Sequence, residues 1–321
     1  MAKPLSLLPI KPNYLSLLKK AGYDTVGDLN GSTMETLGSE LRISEEDASQ
    51  ILQALQSNAP TAGAPKNSSY FPVSQSASSL LASTLIHKCG VPSIDQLLEG
   101  GLRKTQCLEI AGPPGSGKEI LALEFIRSAL EENLEVLIID CQNAMHPSFL
   151  REKLAEGQCD MLNHVSVNGY SELFAFLNQL PKYLADNPAI SLIVFASLSI
   201  PFQLCPNHST KLRLLTLLKT TLVHLGSRSN LAFIATMQLS TKLQNQDGTS
   251  ANFDTGAKAV MVPALGDTWY LLQKTFRILL YRDPAGRSYL ALTGSPSPSK
   301  DGLVAPLNFS IEKARIIISS Q

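Results

Sequence analysis

The chain has no run of eighteen uninterrupted apolar residues, so no segment of it reads as a membrane-spanning helix. Its first residues lack the basic, apolar, small-residue order of an export signal, and the expected protein is soluble and not secreted. Cysteine is sparse: Cys89, Cys107, Cys141, Cys159 and Cys205 are scattered, with no C-x-x-C pair, which argues against a disulfide framework and against a zinc site. The five histidines never fall at the i, i+4 spacing of a helix-borne metal pair, so no metal site is expected. Net charge is missing too. Twenty-seven basic residues balance 27 acidic ones, which excludes the whole-protein cationic footprint of an autonomous nucleic-acid binder. Any DNA contact must be local or shared with a partner. The 44% hydrophobic content is that of an ordinary globular protein, and 321 residues suffice for one large domain and a small one.

What is present is a phosphate-binding loop. Residues Gly112, Pro113, Pro114, Gly115, Ser116, Gly117, Lys118 and Glu119 satisfy G-x-x-x-x-G-K-[ST] at every place but the last. In such a loop the glycines let backbone N–H groups turn inward on phosphates, the lysine reaches the β and γ oxygens, and the terminal hydroxyl binds Mg²⁺. Glu119 puts a carboxylate where that hydroxyl belongs, beside a polyanion. The flanks suit the loop: Cys107–Ala111 reads as a buried strand, and Ile120, Leu123, Ile126 and Leu130 recur at helical spacing after it. Strand, glycine-rich loop and helix in that order aim a helix N-terminus at phosphate.

The chain divides into three parts. Residues 1–56 read as a small all-helical domain, with Tyr14, Leu17 and Leu18 on one face, Gly22 as a stop, and Ser44 with Asp47 resembling a capping box before Ala48, Ile51, Leu52 and Leu55. Five basic and seven acidic residues give it a net charge of −2, which suits a protein contact or packing lid better than DNA. Residues 57–79 read as a linker of Ser, Ala, Pro, Asn and Gly, with Lys66 its one charge and two large aromatics, Tyr70 and Phe71. Phe71 is either a staple onto the chain's own core or an anchor for a neighbouring subunit. Residues 80–321 alternate β-rich runs, at 107–111, 135–140, 191–196 and 231–236, with helices. The clearest helix is Thr210–Leu225, with Ser209 as a cap and Gly226 as a stop. That alternation predicts an α/β core with a mainly parallel sheet. Beyond residue 275 it gives way to a hairpin, 276–281 and 288–293 around Asp283–Gly286, followed by strands at 307–311 and 316–318.

Taken with the loop, Ile200-Pro201-Phe202 after one buried strand, Thr236-Met237-Gln238 closing another, and residues 262–269 (Val-Pro-Ala-Leu-Gly-Asp-Thr-Trp) resemble the RecA/RadA-type recombinase family. The likeness is nearest to its eukaryotic paralogues, the C-type in particular, and covers nearly the whole chain. It implies a RecA-like P-loop core, a role as recombination mediator in double-strand break repair, and a nuclear location. The partners it implies are another paralogue, the main recombinase and, through the complex, single-stranded DNA, with no membrane involved. Carried over by position, the family's catalytic glutamate falls on Gln142 and its Walker B aspartate on Ala196. Glu119, Gln142 and Ala196 thus replace the metal hydroxyl, the general base and the metal-side acid, so no catalytic residue is intact. ATP is then held weakly or independently of Mg²⁺, by residues 112–119. The resemblance further makes Phe71, with Ser74 as the small residue three positions on, a polymerisation-type contact. It places Lys211 and Arg213 in a first DNA loop after Phe202, and Lys242 and Lys258 in a second over 239–261, which Gln238 precedes at the strand end with a DNA role of its own. Four scattered cations, opposed by Asp247 and Asp254, make a poor phosphate track. Two other readings stay open: an active DNA-stimulated ATPase using Glu119 or Asp140 as substitute metal ligand, and a nucleotide-free structural adaptor.

Overall fold

The computed structural model describes residues 12–23, 34–41, 43–44, 47–49, 51, 85–228, 230–244, 251, 258–266, 269–297 and 304–319. The chain forms two compact units, Met1–Ser74 and Gln75–Gln321. In the first, α1 (Pro12–Lys20) and α2 (Met34–Leu41) precede a helical stretch at 47–49. Gly22 ends α1 with φ 91°, and the Tyr23 amide donates to Leu18 O at 3.0 Å. This is the left-handed helix end for which glycine carries no Cβ penalty. Ser44 Oγ accepts from the Asp47 amide (3.2 Å) and donates to Asp47 Oδ2 (2.8 Å). Leu18, Leu37, Leu41, Ala48 and Ile51 form the unit's buried core.

The second unit runs β1 (Ile86–His87), α3 (Pro92–Leu97), β2 (Leu102–Arg103), β3 (Cys107–Ala111), α4 (Lys118–Glu131), β4 (Glu135–Asp140), α5 (Pro147–Lys153), β5 (Leu162–Ser166), α6 (Tyr170–Asp186) and β6 (Ile190–Ala196). It continues with α7 (Ser199–Gln203), α8 (His208–Arg228), β7 (Ala232–Met237), β8 (Leu239–Gln244), β9 (Lys258–Pro263), β10 (Thr275–Arg282), β11 (Ser288–Gly294), β12 (Leu307–Glu312) and β13 (Arg315–Ile318). Nine strands make one sheet in the order β13-β12-β11-β10-β3-β7-β6-β4-β5, parallel from β10 to β5 and antiparallel from β10 to β13. The sheet is a RecA-like P-loop core. Its central strands are apolar on both faces because both are covered: Val136, Ile138, Leu192 and Val194 join α4's side of the core, and Leu137, Ile139, Ile193 and Phe195 join the side of α6 and α8.

The long helix departs from the sequence reading. α8 begins one residue before Ser209 and runs through Gly226 to Arg228, and the cap is Asn207, whose Oδ1 accepts from the Thr210 amide at 2.8 Å. Gly226 serves close approach instead of termination. A Cβ there would lie 3.3 Å from Phe233 Cε2 and 3.4 Å from Thr105 Cα, so the bare backbone lets α8 press onto the turn before β3. The 276–293 hairpin forms as expected, with the Gly286 amide donating to Asp283 O at 2.9 Å.

Candidate functional site

The parallel strands β3, β4, β6 and β7 end on one edge of the sheet, where open α/β folds bind ligands. Gly112, Gln142 and Gln238 follow the ends of β3, β4 and β7, and Ala196 closes β6. Gly115 (φ 73°) and Gly117 (φ 92°, the N-cap of α4) take left-handed conformations that turn the loop. At Gly112 a Cβ would sit 2.6 Å from Ser116 Oγ and 2.7 Å from Leu280 O, so only glycine fits. The cradle therefore suits phosphate. Lys118 is buried, with Nζ donating to Pro113 O at 2.9 Å. Burial draws its pKa below the ordinary lysine value, and the neighbouring Glu119 carboxylate works in the other direction.

The metal side is a different matter. Ala196 is wholly buried and contributes its carbonyl, which accepts from the Cys141 amide at 3.0 Å. Gln142 Oε1 accepts from Gln238 Nε2 at 3.3 Å, so the two amides following β4 and β7 pair with each other. Asp140 is committed to the turn after β4: Oδ1 accepts from the amides of Gln142 (3.2 Å) and Ala144 (3.0 Å), and Oδ2 from that of Met145 (2.8 Å). Burial pushes its pKa up, and the nearby His164 imidazole with those three amides outweighs it, leaving the carboxyl below the usual range. That commitment counts against Asp140 as a substitute metal ligand. Among the described residues no group of three or more His, Cys, Asp or Glu side chains is placed to hold a metal ion.

Several supports went unread in the sequence. Ser197 adopts φ 56°, and its amide donates to Thr236 Oγ1 (2.8 Å). The Leu198 amide donates to Thr236 O (3.0 Å), and that of Gln238 to Ser199 Oγ (3.1 Å). Three small polar residues thus lock the ends of β6 and β7 together, and the available signal was hydroxyls in otherwise apolar strand ends. On α4, Glu124 accepts from Arg127 Nη1 (3.2 Å), Arg315 Nη1 (2.8 Å) and the Ile316 amide (2.9 Å), tying the β12–β13 hairpin to the loop's own helix. Ile311 of that hairpin lies against the loop, its Cδ1 2.5 Å from where a Cβ of Gly117 would stand. A charged i, i+3 pair amid α4's apolar positions was the readable hint. Buried Glu109 on β3 accepts from Trp269 Nε1 at 2.6 Å, which anchors the end of the 262–269 segment in the core.

The loop position that the resemblance gives Lys211 and Arg213 is corrected: both stand on the first turns of α8, within the helix that the apolar period predicts over 210–225. The second is corrected in its stem, where β8 and β9 pair as an antiparallel ribbon. Its register puts Lys242, Val260 and Lys258 on one face, and Leu239 with Pro263 and Thr241 with Met261 on the other. Residues 245–250 and 252–257 of that loop, and Phe71 and Ser74 of the linker, lie outside the described residues.

Residues 87–163 match the family described as "ATPase: KaiC". Over 92% of this chain and 88% of the relative, the sequence is 25% identical to the DNA repair protein RAD51 homolog 3 of Cricetulus griseus. Over 32% of this chain and 33% of the relative it is 33% identical to the DNA repair protein RAD51 homolog 4 of Mus musculus. It is 28% identical to the DNA repair and recombination protein RadA of Methanocorpusculum labreanum over 46% of this chain and 44% of that one. With the phosphate loop on β3 and the parallel sheet around it, these likenesses support the similarity of the chain to the paralogues of the RecA/RadA-type recombinases.

Proposed function

We propose that the chain serves DNA repair by homologous recombination as a paralogue subunit that does not itself turn over ATP efficiently. It helps the main recombinase load or persist on single-stranded DNA at double-strand breaks, in the nucleus, in complex with another paralogue. The likeness to a DNA repair protein over 92% of the chain, and to a DNA repair and recombination protein over 46% of it, supports the role. One observation carries the catalytic part: an intact cradle, with Glu119, Gln142 and Ala196 at the three places where hydrolysis needs a hydroxyl and two carboxylates. The Gly112–Gly117 amides and Lys118 would hold the phosphates of ATP, weakly or without Mg²⁺, against the like charge of Glu119. In RecA-like assemblies the nucleotide lies between protomers, so a degenerate site persists if the subunit's other face completes a partner's.

Nucleotide affinity with and without Mg²⁺, measured on the isolated chain and on its complex, tests the reading. Weak, metal-independent binding without turnover is expected. Tight, metal-dependent binding with a turnover on the order of 1 s⁻¹ that Lys118→Ala abolishes would make the chain an ATPase, and no binding at all would make it an adaptor.

A further inference from the structure

We infer that a cleft beside the phosphate loop, floored by Ser116 and walled by Tyr281, is a stacking site for one base of single-stranded DNA. The inference rests on the reading that this chain takes part in holding that DNA. One face of the β10–β11 hairpin, with Ile278, Leu280, Leu290 and Leu292, is buried in the core. The opposite face pairs Leu279 with Ala291 and Tyr281 with Tyr289, all half-buried. The two tyrosine rings lie 5.6 Å apart at 21°, nearly parallel, and the Arg287 guanidinium carbon is 6.0 Å from the centre of the Tyr289 ring. Beside this platform, Leu239 and Met261 from the apolar face of the β8–β9 ribbon, Leu279, Tyr281, Arg282 and the 113–116 stretch of the loop enclose a cleft of about 370 Å³.

The chemistry of the cleft favours a nucleobase. An aromatic wall beside aliphatic side chains accepts a planar ring of any sequence, because every base has a π-face. Ser116, 6% exposed, lines the cleft with Pro113, Pro114 and Gly115 of the loop. The charge around the cleft suits a polyanion. Among the described residues of the ribbon and the hairpin tip (281–289), Arg282, Arg287, Lys242 and Lys258 face one carboxylate, Asp283, which Arg287 already pairs at 2.8 Å. A backbone crossing the ribbon's Lys242 and Lys258 face would pass within one hairpin of the cleft, which lies under the ribbon's other face.

Fluorescence anisotropy with a labelled oligothymidylate and the full chain, alone and in complex with its partner, tests the site. Tyr281→Ala should weaken binding on the order of tenfold, Tyr281→Phe should retain it, and an abasic oligonucleotide of equal length should not distinguish the variants. Photo-crosslinking of the unsubstituted chain to an iodouridine-containing strand should label the 275–289 peptide, a readout that stands even if Tyr281→Ala fails to fold. Crosslinks confined elsewhere, or Tyr281→Ala binding DNA normally while Lys242→Ala and Lys258→Ala bind weakly, would overturn the cleft and leave the DNA role standing. A Tyr281→Ala chain that binds DNA normally and loses its protein partner would make the cleft a protein contact. Absence of any DNA binding by chain or complex would overturn both the cleft and the DNA role it rests on.

Discussion

Replacing Glu124 should release the C-terminal hairpin from the helix that carries the phosphate loop. The carboxylate is 2% exposed and accepts from Arg127 (3.2 Å), Arg315 (2.8 Å) and the Ile316 amide (2.9 Å). Glu124→Ala strands the buried Arg127 guanidinium with two carbonyls, Ala314 O and Lys153 O, as its remaining partners. Removing one member of a buried pair costs about 3–5 kcal/mol. The Arg315 side chain is 54% exposed and rehydrates, so its share is small and the lower end, about 3 kcal/mol, applies. At roughly 2–4 °C per kcal/mol for a unit of this size, melting should fall by about 6–12 °C. Differential scanning fluorimetry reads that shift, and limited proteolysis should cut first within β12–β13. Converting Glu124 and Arg127 together to leucine should cost less than Glu124→Ala alone, because no buried charge is then left unpaired. A Glu124→Ala shift below about 2 °C, or a double variant worse than the single, would refute the reasoning.

Burial lowers the pKa of His87 from its ordinary 6.5 to about 4. The unfolded chain takes up that proton below about pH 6.5 and the folded chain only near 4, so stability is full above 6.5 and declines as pH falls between the two, by roughly 3 kcal/mol in all. His87→Leu should flatten urea midpoints over that window, and an unchanged slope would count against the burial argument. Gly226→Val should destabilise by about 1–3 kcal/mol despite valine's better helix propensity, since the Cβ meets Phe233 and Thr105, and a stabilised variant in thermal melts would contradict the packing account. Lys118→Ala should disturb repair in damage-sensitivity assays less than the same change in a hydrolysing paralogue; a null phenotype at normal protein abundance would show that nucleotide matters here. Phe71→Ala should cost about 2 kcal/mol of partner affinity, roughly thirtyfold, in co-purification with the chain still folded, whereas intact association with a lowered melting temperature would make Phe71 a staple.

The phosphate loop, its flanking strand and helix, and the Asp283–Gly286 hairpin were legible because each is specified by neighbours in sequence: glycines at left-handed positions, 3.6- and 2-residue periods, a turn tetrapeptide. The end of α8 was misread because Gly226 signals a stop locally, while the turn pressed against it needs a residue without a Cβ. Lys211 and Arg213 fall inside the helical period over 210–225, and α8 keeps them there, so the loop position that the resemblance gives them does not hold. Residue type at local spacing was enough for the α/β class of the fold and for the glycine-rich loop between β3 and α4. What the fold alone supplies is the Gln142–Gln238 amide pair, the commitment of Asp140 to its turn, the Glu124 clamp on the C-terminal hairpin and the cleft at Tyr281. Each of the amide pair, the clamp and the cleft joins residues far apart in the chain, brought together by strand order and register, and no local pattern encodes that pairing.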